Sequence, residues 1–384
     1  MSDVVIVGAG LVGLSVGWRA ASAGVRVTLV DPAPASGASH VAAGMLTPMS
    51  ELVYGEEELL RLNLASMELY PAFVAELEEQ AGLETGFRRD GVLKVAHDSD
   101  DLALLEELRR FHDRLGLGSE ALTGRECRRL EPMLAPTVRG GLLAAGDGSV
   151  DPRRLSAALL VAAERQGVRL VRARVAEVIV ESDEARGVRL EDGTELRAAR
   201  TLLAAGCQTH RIGGLPAGLV PTVRPVKGQV VRLRNRFPHP FLNRTVRAVV
   251  KGFSIYLVPR LDGEIVVGAT EEEQGYDTTV TAGGVWELLR DAREILPGVT
   301  ELEFAEVSAG LRPGSPDNAP MMGPTALPGL LLATGHYRNG VLLTPVTAAA
   351  MTAHLTGGEP VAAAAGFGPD RFGVLSGDTS GGAA

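Results

Sequence analysis

Four consecutive β-branched residues, Val4, Val5, Ile6 and Val7, run directly into Gly8-Ala9-Gly10-Leu11-Val12-Gly13, and no other stretch constrains the fold as tightly. An unbroken apolar run of this kind reads as a strand covered on both faces, the habit of parallel sheets. The spacing G-x-G-x-x-G at the end of such a strand is that of a dinucleotide-binding turn. Gly8 permits the tight turn, Gly10 lets backbone approach a pyrophosphate, and Gly13 lets the following helix lie close to the strand. The phosphates would rest on that helix's N-terminus, where free N–H groups and the dipole favour negative charge. A second strand, Val25 to Val30, ends at Asp31, 18 positions beyond Gly13 and in place for ribose hydroxyls. A carboxylate there favours FAD or NAD over NADP, and the turn alone does not separate the first two.

The chain is long enough, at 384 residues with 45% hydrophobic content, for two domains with substantial cores. A formal charge of -9 without a Lys/Arg cluster argues against a nucleic-acid partner. Cys127 and Cys207 are far apart, which suits a reducing compartment, excludes a C-x-x-C redox pair and leaves both as core or loop thiols away from the dinucleotide motif. The N-terminus enters a strand at once, so neither a signal peptide nor a membrane span is expected, and the protein reads as cytoplasmic. The most apolar segment, Val341 to Leu355, is shorter than the roughly 20 residues needed to cross a bilayer and reads as a buried helix. No metal-ligand spacing is present, and no metal is expected.

Along the chain, small residues crowd Ala42-Ala43-Gly44-Met45, and 56–79 is an amphipathic helical pattern that Pro71 should break. Phe87 to Val95 alternates around Gly91 like a hairpin, and 130–143 returns to strand character. Asp151 and Pro152 form an N-cap and first position for a helix to Gln166, followed by strands and a hairpin at Asp192-Gly193. Thr201 to Gly206 is a further buried strand, and 223–267 is all strand, one antiparallel sheet. Gly335 to Gly340 should open the final helix, and residues after Leu375 should fray. The expected fold class is α/β, a Rossmann-like dinucleotide-binding domain with a second α+β domain built on an antiparallel sheet.

Beyond the glycine turn, the motifs Ala42-Ala43-Gly44-Met45-Leu46, Pro225-Val226-Lys227-Gly228-Gln229, Tyr256-Leu257-Val258-Pro259-Arg260, Gly268-Ala269-Thr270, Ala309-Gly310-Leu311-Arg312-Pro313 and Gly335-His336-Tyr337-Arg338-Asn339-Gly340 cover nearly the whole chain. In these the sequence resembles the FAD-dependent amine oxidoreductases that include D-amino-acid oxidase and sarcosine oxidase, and most of all the glycine-oxidase branch associated with thiamine biosynthesis. The resemblance implies a discontinuous FAD-binding domain, 1–80, 141–222 and 313–384, and a substrate domain, 81–140 and 223–312. It places Leu11, Val12, Asp31, Pro32, Ser39, Ala43, Gly44, Met45 and Val175 along non-covalent FAD, beside Gly8, Gly10 and Gly13. It closes Arg338, Asn339, Gly340, Val341 and Leu342 over the ring. Arg312 would clamp the substrate carboxylate, Tyr256 would offer a hydroxyl, and Arg338 would serve substrate or flavin. The resemblance also implies a small amine substrate, O2 as acceptor and a homo-oligomer, a tetramer. Ser254 departs from relatives that carry histidine there, which leaves substrate preference open.

The chemistry so implied needs little from side chains, because the cofactor carries the redox step and the protein positions the substrate. A planar guanidinium matches a carboxylate bidentately, so one arginine can fix a small amino acid. On residue type alone Arg312 would read as a surface arginine in a Pro-Gly loop, and only the resemblance reverses that. The N-terminus of a helix after Asn339 would favour negative charge on a reduced flavin. His40 lies one position away from where relatives carry a flavin-linked histidine. An NAD dehydrogenase, a flavin dehydrogenase using a quinone or carrier protein, and a non-catalytic dinucleotide sensor remain the rival readings.

Overall fold

In a computed structural model the chain is described over residues 2–373, so the fraying expected after Leu375 lies outside the described residues. Two eight-stranded sheets organise it. In the first, strands Leu330–Thr334, Glu195–Leu203, Ser2–Val7, Val27–Val30 and Arg169–Val171 run parallel in that order, with Met321–Pro324 antiparallel at one edge. The central strand shows why the apolar run is unbroken. Val4 and Ile6 join a core shared with helices Leu11–Ser22, Glu57–Ala81, Pro152–Arg165 and Thr344–Thr356. Val5 and Val7 face the other way, into a core closed by the hairpin strands Val175–Glu181 and Glu184–Leu190. The second face is thus covered by β-structure where a doubly wound fold would place helices.

The second sheet is ordered Glu303–Gly314, Arg224–Arg234, Glu264–Gly268, Phe253–Pro259, Thr245–Val250, Val92–Ala96, Gly140–Ala144 and Glu120–Thr123. The strands within 223–267 pair antiparallel, while Thr245–Val250 and Val92–Ala96 are parallel. Period-2 alternation divides its residues. Val231, Leu233, Val246, Ala248, Ile255, Leu257, Ile265 and Val267 pack under helix Ala282–Ile295. The alternate residues face the first sheet, where Val230, Val258 and Val266 meet Val41 and Ala43.

Several sequence expectations are corrected. Helix Glu57–Ala81 runs through Pro71, which sits on its exposed side while Tyr70, Phe73, Val74 and Leu77 are buried. That packing offsets the roughly 3 kcal/mol cost of an interior proline. No hairpin forms at Gly91. The strand starts at Val92, and Arg88 instead bridges to Ser149. The 130–143 segment is strand only from Gly140, after a short helix Gly124–Leu130. The last α-helix starts at Thr344, because the chain first makes a tight turn at Tyr337–Asn339 and Pro345 suits an initial helical position. No helix among the described residues is long and apolar enough to cross a membrane.

Candidate active site

A single cavity of about 1820 Å³ runs from the Gly8–Gly10 turn to the second sheet, well above the ~300–1,000 Å³ of drug-sized sites. At one end the glycine turn is built from backbone. Gly8 has φ of 104° and any Cβ on it would overlap Ala204, while a Cβ on Gly13 would overlap the Gly8 carbonyl. The first helix has no side-chain N-cap, and the Leu11 amide donates to Ser39 Oγ at 3.1 Å. Asp31 ends its strand with both oxygens engaged, accepting from Ala9 N at 2.7 Å and Ala33 N at 2.8 Å. The carboxylate therefore shapes the turn as well as facing the cavity. This helix start without a side-chain N-cap, a glycine turn packed too closely to admit a Cβ at Gly8 or Gly13 and a long cavity fit an extended dinucleotide.

Of the remaining residues singled out in the sequence, Gly10, Val12, Pro32, Ala43, Gly44, Met45, Val175, Gly340 and Val341 line the cavity. Gly13, Asn339 and Leu342 stand behind its wall: Gly13 packs on Gly8, and Asn339 and Leu342 are buried in the protein. The helix dipole drawn from Asn339 moves accordingly, since the helix begins only at Thr344. His40 is exposed and outside the cavity lining, and its carbonyl accepts from Arg153 Nε. Cys207 corrects the expectation that no thiol approaches the dinucleotide site. The strand Glu195–Leu203 runs parallel to Ser2–Val7 and delivers Cys207 to the cavity wall, where burial pushes its thiol up to about 12.

At the other end the second sheet presents a row of polar side chains. The Arg312 guanidinium lies over Gly228, where a Cβ would come within 2.5 Å of Nη2, and Nη1 donates to the carbonyls of Lys227 at 3.3 Å and Thr270 at 3.2 Å. Among the described residues no carboxylate lies within ion-pair distance of Arg312. Tyr256 lies over Gly268 in the same manner, and burial, opposed by Arg312, raises its hydroxyl above the ordinary phenol range. Arg338 also lines the cavity but is committed to Glu56 at 2.9 Å.

Sequence reasoning missed the continuation of this row. Register pairs Gly268 with Tyr256, Tyr256 with Arg247 and Arg247 with Lys94, so these side chains share one face on successive strands. Arg247 is buried and paired with Glu51 at 2.5 Å, and Lys94 Nζ donates to the Ser50 carbonyl at 3.2 Å. Burial, aided by Arg247, brings the Lys94 ammonium down to about 7. Burial pushes the Asp147 carboxyl up to about 6, although Ser50 and Met49 hydrogen-bond to it. Burial opposes ionisation of Glu51, but Arg247, together with Arg338 and Thr47, holds that carboxyl below its usual range. One signal was available: Lys94 and Arg247 are lone cations inside the apolar strands 92–96 and 245–250.

Comparison with known proteins agrees with this geometry. The chain is 35% identical to glycine oxidase of Geobacillus kaustophilus, over 90% of each protein. It is 33% identical to the bifunctional protein ThiO/ThiG of Synechocystis over 97% of this chain, which spans only 54% of that longer relative. The crystal structure of the Geobacillus kaustophilus glycine oxidase superposes with a TM-score of 0.88 at 33% identity, covering 96% of this chain and 98% of that one. Residues 3–354 match the family described as FAD dependent oxidoreductase, and the chain belongs to that family.

Proposed function

We propose that this FAD-dependent enzyme oxidises glycine and other small primary or secondary amines, among them sarcosine and small D-amino acids, and releases a 2-oxo acid with ammonia or amine. The observation that carries the reading is Arg312, a cavity-facing guanidinium bonded only to backbone carbonyls and adjoined by the Tyr256 hydroxyl. A substrate carboxylate supplies the missing counter-charge and binds the planar fork bidentately. FAD, when bound, would supply the acceptor for the hydride that leaves the substrate Cα. The Gly8–Gly13 turn, Asp31, Pro32, Ser39, Ala43 to Met45 and Val175 would hold it, and Gly340 and Val341 would close beside its ring. Arg312 sets the position of Cα, and Tyr256 offers its hydroxyl as a donor toward the carboxylate. Arg338, tied to Glu56, adds positive potential without a direct contact to substrate.

The division of labour we propose gives 1–80, 141–222 and 313–384 to FAD and 81–140 with 223–312 to substrate, except that 141–144 pass to the substrate side because Gly140–Ala144 pairs in the second sheet. FAD is held without a covalent bond, since His40 is exposed and outside the cavity lining and burial keeps the Cys207 thiol protonated. O2 as acceptor, a cytoplasmic homotetramer and supply of glycine imine to thiamine thiazole synthesis complete the reading; the relative's name, glycine oxidase, supports the first, and the others rest on the sequence resemblance. The test is an amine panel with flavin absorbance and peroxide release followed together. Reduction by glycine or sarcosine with stoichiometric peroxide is expected. A flavin that no amine in the panel reduces would overturn the reading.

A further inference from the structure

Three arginines face the substrate end of one cavity, and their counter-charges differ. Arg338 has Glu56, Arg247 has Glu51, and Arg312 has only carbonyl oxygens. Glu51 is a fixed feature of the wall. Thr47 Oγ1 donates to it at 3.0 Å, and the loop behind it is pinned at several points. Asp147 accepts from Met49 N at 3.2 Å, Ser50 N at 2.9 Å and Ser50 Oγ at 2.6 Å. Lys94 holds the Ser50 carbonyl, and His112 Nε2 lies 3.2 Å from the Met49 carbonyl. The loop that carries Glu51 is therefore fixed, and its carboxylate leaves Arg247 only by giving up that ion pair and the Thr47 hydrogen bond. Across the sheet, Tyr256 stands between Arg312 on one side and the Arg247–Glu51 pair on the other. An amino acid clamped at Arg312 extends its nitrogen substituent or side chain along this row.

We propose that Glu51 is a built-in stand-in for a substrate carboxylate: it fills the anion subsite that Arg247 would otherwise offer and restricts the enzyme to amines bearing one carboxylate. A second carboxylate on the substrate meets a cation already neutralised and a like charge held in place, which is specificity by repulsion. The inference rests on the reading of Arg312 as the carboxylate clamp. It concerns selection among amine acids and needs no group from the protein to change its bonding.

Binding to the FAD-loaded enzyme reads the subsite without turnover. Methoxyacetate mimics sarcosine with an ether oxygen in place of nitrogen, and oxydiacetate mimics the dicarboxylic amine iminodiacetate. Calorimetry with flavin-absorbance titration should show wild type binding methoxyacetate more tightly than oxydiacetate. Glu51→Gln should move that ratio toward oxydiacetate by about 10- to 100-fold, the scale of removing a like-charge contact of a few kcal/mol. In the double variant Glu51→Gln with Arg247→Met the gain should vanish. An unchanged ratio in Glu51→Gln, or a gain that survives loss of Arg247, overturns the proposal. If wild type binds neither ligand, the Arg312 reading falls and this one with it; methoxyacetate binding with an unresponsive ratio defeats the Glu51 inference alone. Should Glu51→Gln fail to retain FAD, Glu51→Ala purified with oxydiacetate gives a second measure: oxydiacetate should raise its Tm more than methoxyacetate does, and an equal shift overturns the proposal.

Discussion

The two ends of the cavity recognise their ligands by different means. At the dinucleotide end the chain uses backbone: glycines that admit close approach, an uncapped helix start, and one carboxylate that bonds two amides of its own turn. At the substrate end it uses side chains from distant segments, Lys94, Arg247, Tyr256 and Arg312, brought together by strand register. Backbone recognition leaves a contiguous signature because the residues that shape one turn are neighbours in sequence. Register recognition leaves a scattered one. It follows that damage at the substrate end should spare FAD, while damage at the turn should not.

The largest expected effect tests that separation. Arg312→Ala removes the proposed guanidinium partner of a desolvated substrate carboxylate, a loss of about 3–5 kcal/mol, so flavin reduction at low glycine should slow by roughly two to four orders of magnitude. Arg312→Lys keeps charge without the planar fork and should fall between the two. FAD content should stay at the wild-type level. Anaerobic stopped-flow reduction checks the rate, and reduction of Arg312→Ala at wild-type rate and affinity would transfer the clamp to another residue.

What could be read from the sequence follows the same division. The run Val4–Val7, the glycine turn, Asp31 and the Asp151-Pro152 cap are local, and each sits where local chemistry placed it. Arg312 and Tyr256 were reached through resemblance, since an arginine before proline carries no chemistry by itself. Lys94, Arg247 and Glu51 were missed, because nothing local says that positions 94 and 247 are paired strand neighbours. Pro71 misled for a related reason. Its cost is local, whereas the burial that outweighs it comes from three other helices in the same core.

Where the two sheets meet, His336 provides a test of how firmly the ends are joined. It bridges to Gly314 at the end of the second sheet, its ring nitrogen lies 3.0 Å from Thr347 Oγ1, and burial brings its imidazole down to about 4. The native state therefore resists a proton that the unfolded chain accepts near its ordinary value of about 6.5. The stabilising contrast is full above that value and is lost as pH falls toward 4, amounting to about 3 kcal/mol for this group. Chemical denaturation at pH 7 and pH 4 should show wild type losing about that much more than His336→Gln. Parallel losses in the two proteins would show that the junction does not sense this proton.

Asp31 is the side-chain exception at the backbone end. Asp31→Ala removes two hydrogen bonds that set the turn, and FAD affinity should fall by roughly 1.5–3 kcal/mol, on the order of 10- to 100-fold. Flavin fluorescence on dilution measures it. An unchanged dissociation constant in a folded variant would mean the glycines alone define the site, which sharpens the contrast between the two ends.

The smallest effect belongs to Asp151, which touches both regions. Its Oδ1 accepts from Arg153 N at 2.9 Å and Arg154 N at 3.3 Å to cap helix Pro152–Arg165 in the first core. Its other oxygen lies 3.9 Å from Nε of Arg260, which follows the second-sheet strand Phe253–Pro259 and whose guanidinium donates to the carbonyls of Val150 at 2.8 Å and Ala43 at 2.6 Å. Burial brings Arg260 down to about 10, with Asp151 the strongest opposing influence. Two contributions can be told apart. Asparagine keeps the cap but not the charge, and alanine loses both. A cap is worth about 1 kcal/mol, so Asp151→Ala should lose about that through the helix. If the charge also holds Arg260 across the junction, Asp151→Asn should be less stable than wild type and its deficit should shrink in an Arg260→Met background. If Asp151→Asn matches wild type while Asp151→Ala is weakened, Asp151 serves the helix alone and Arg260 joins the domains through its carbonyl contacts.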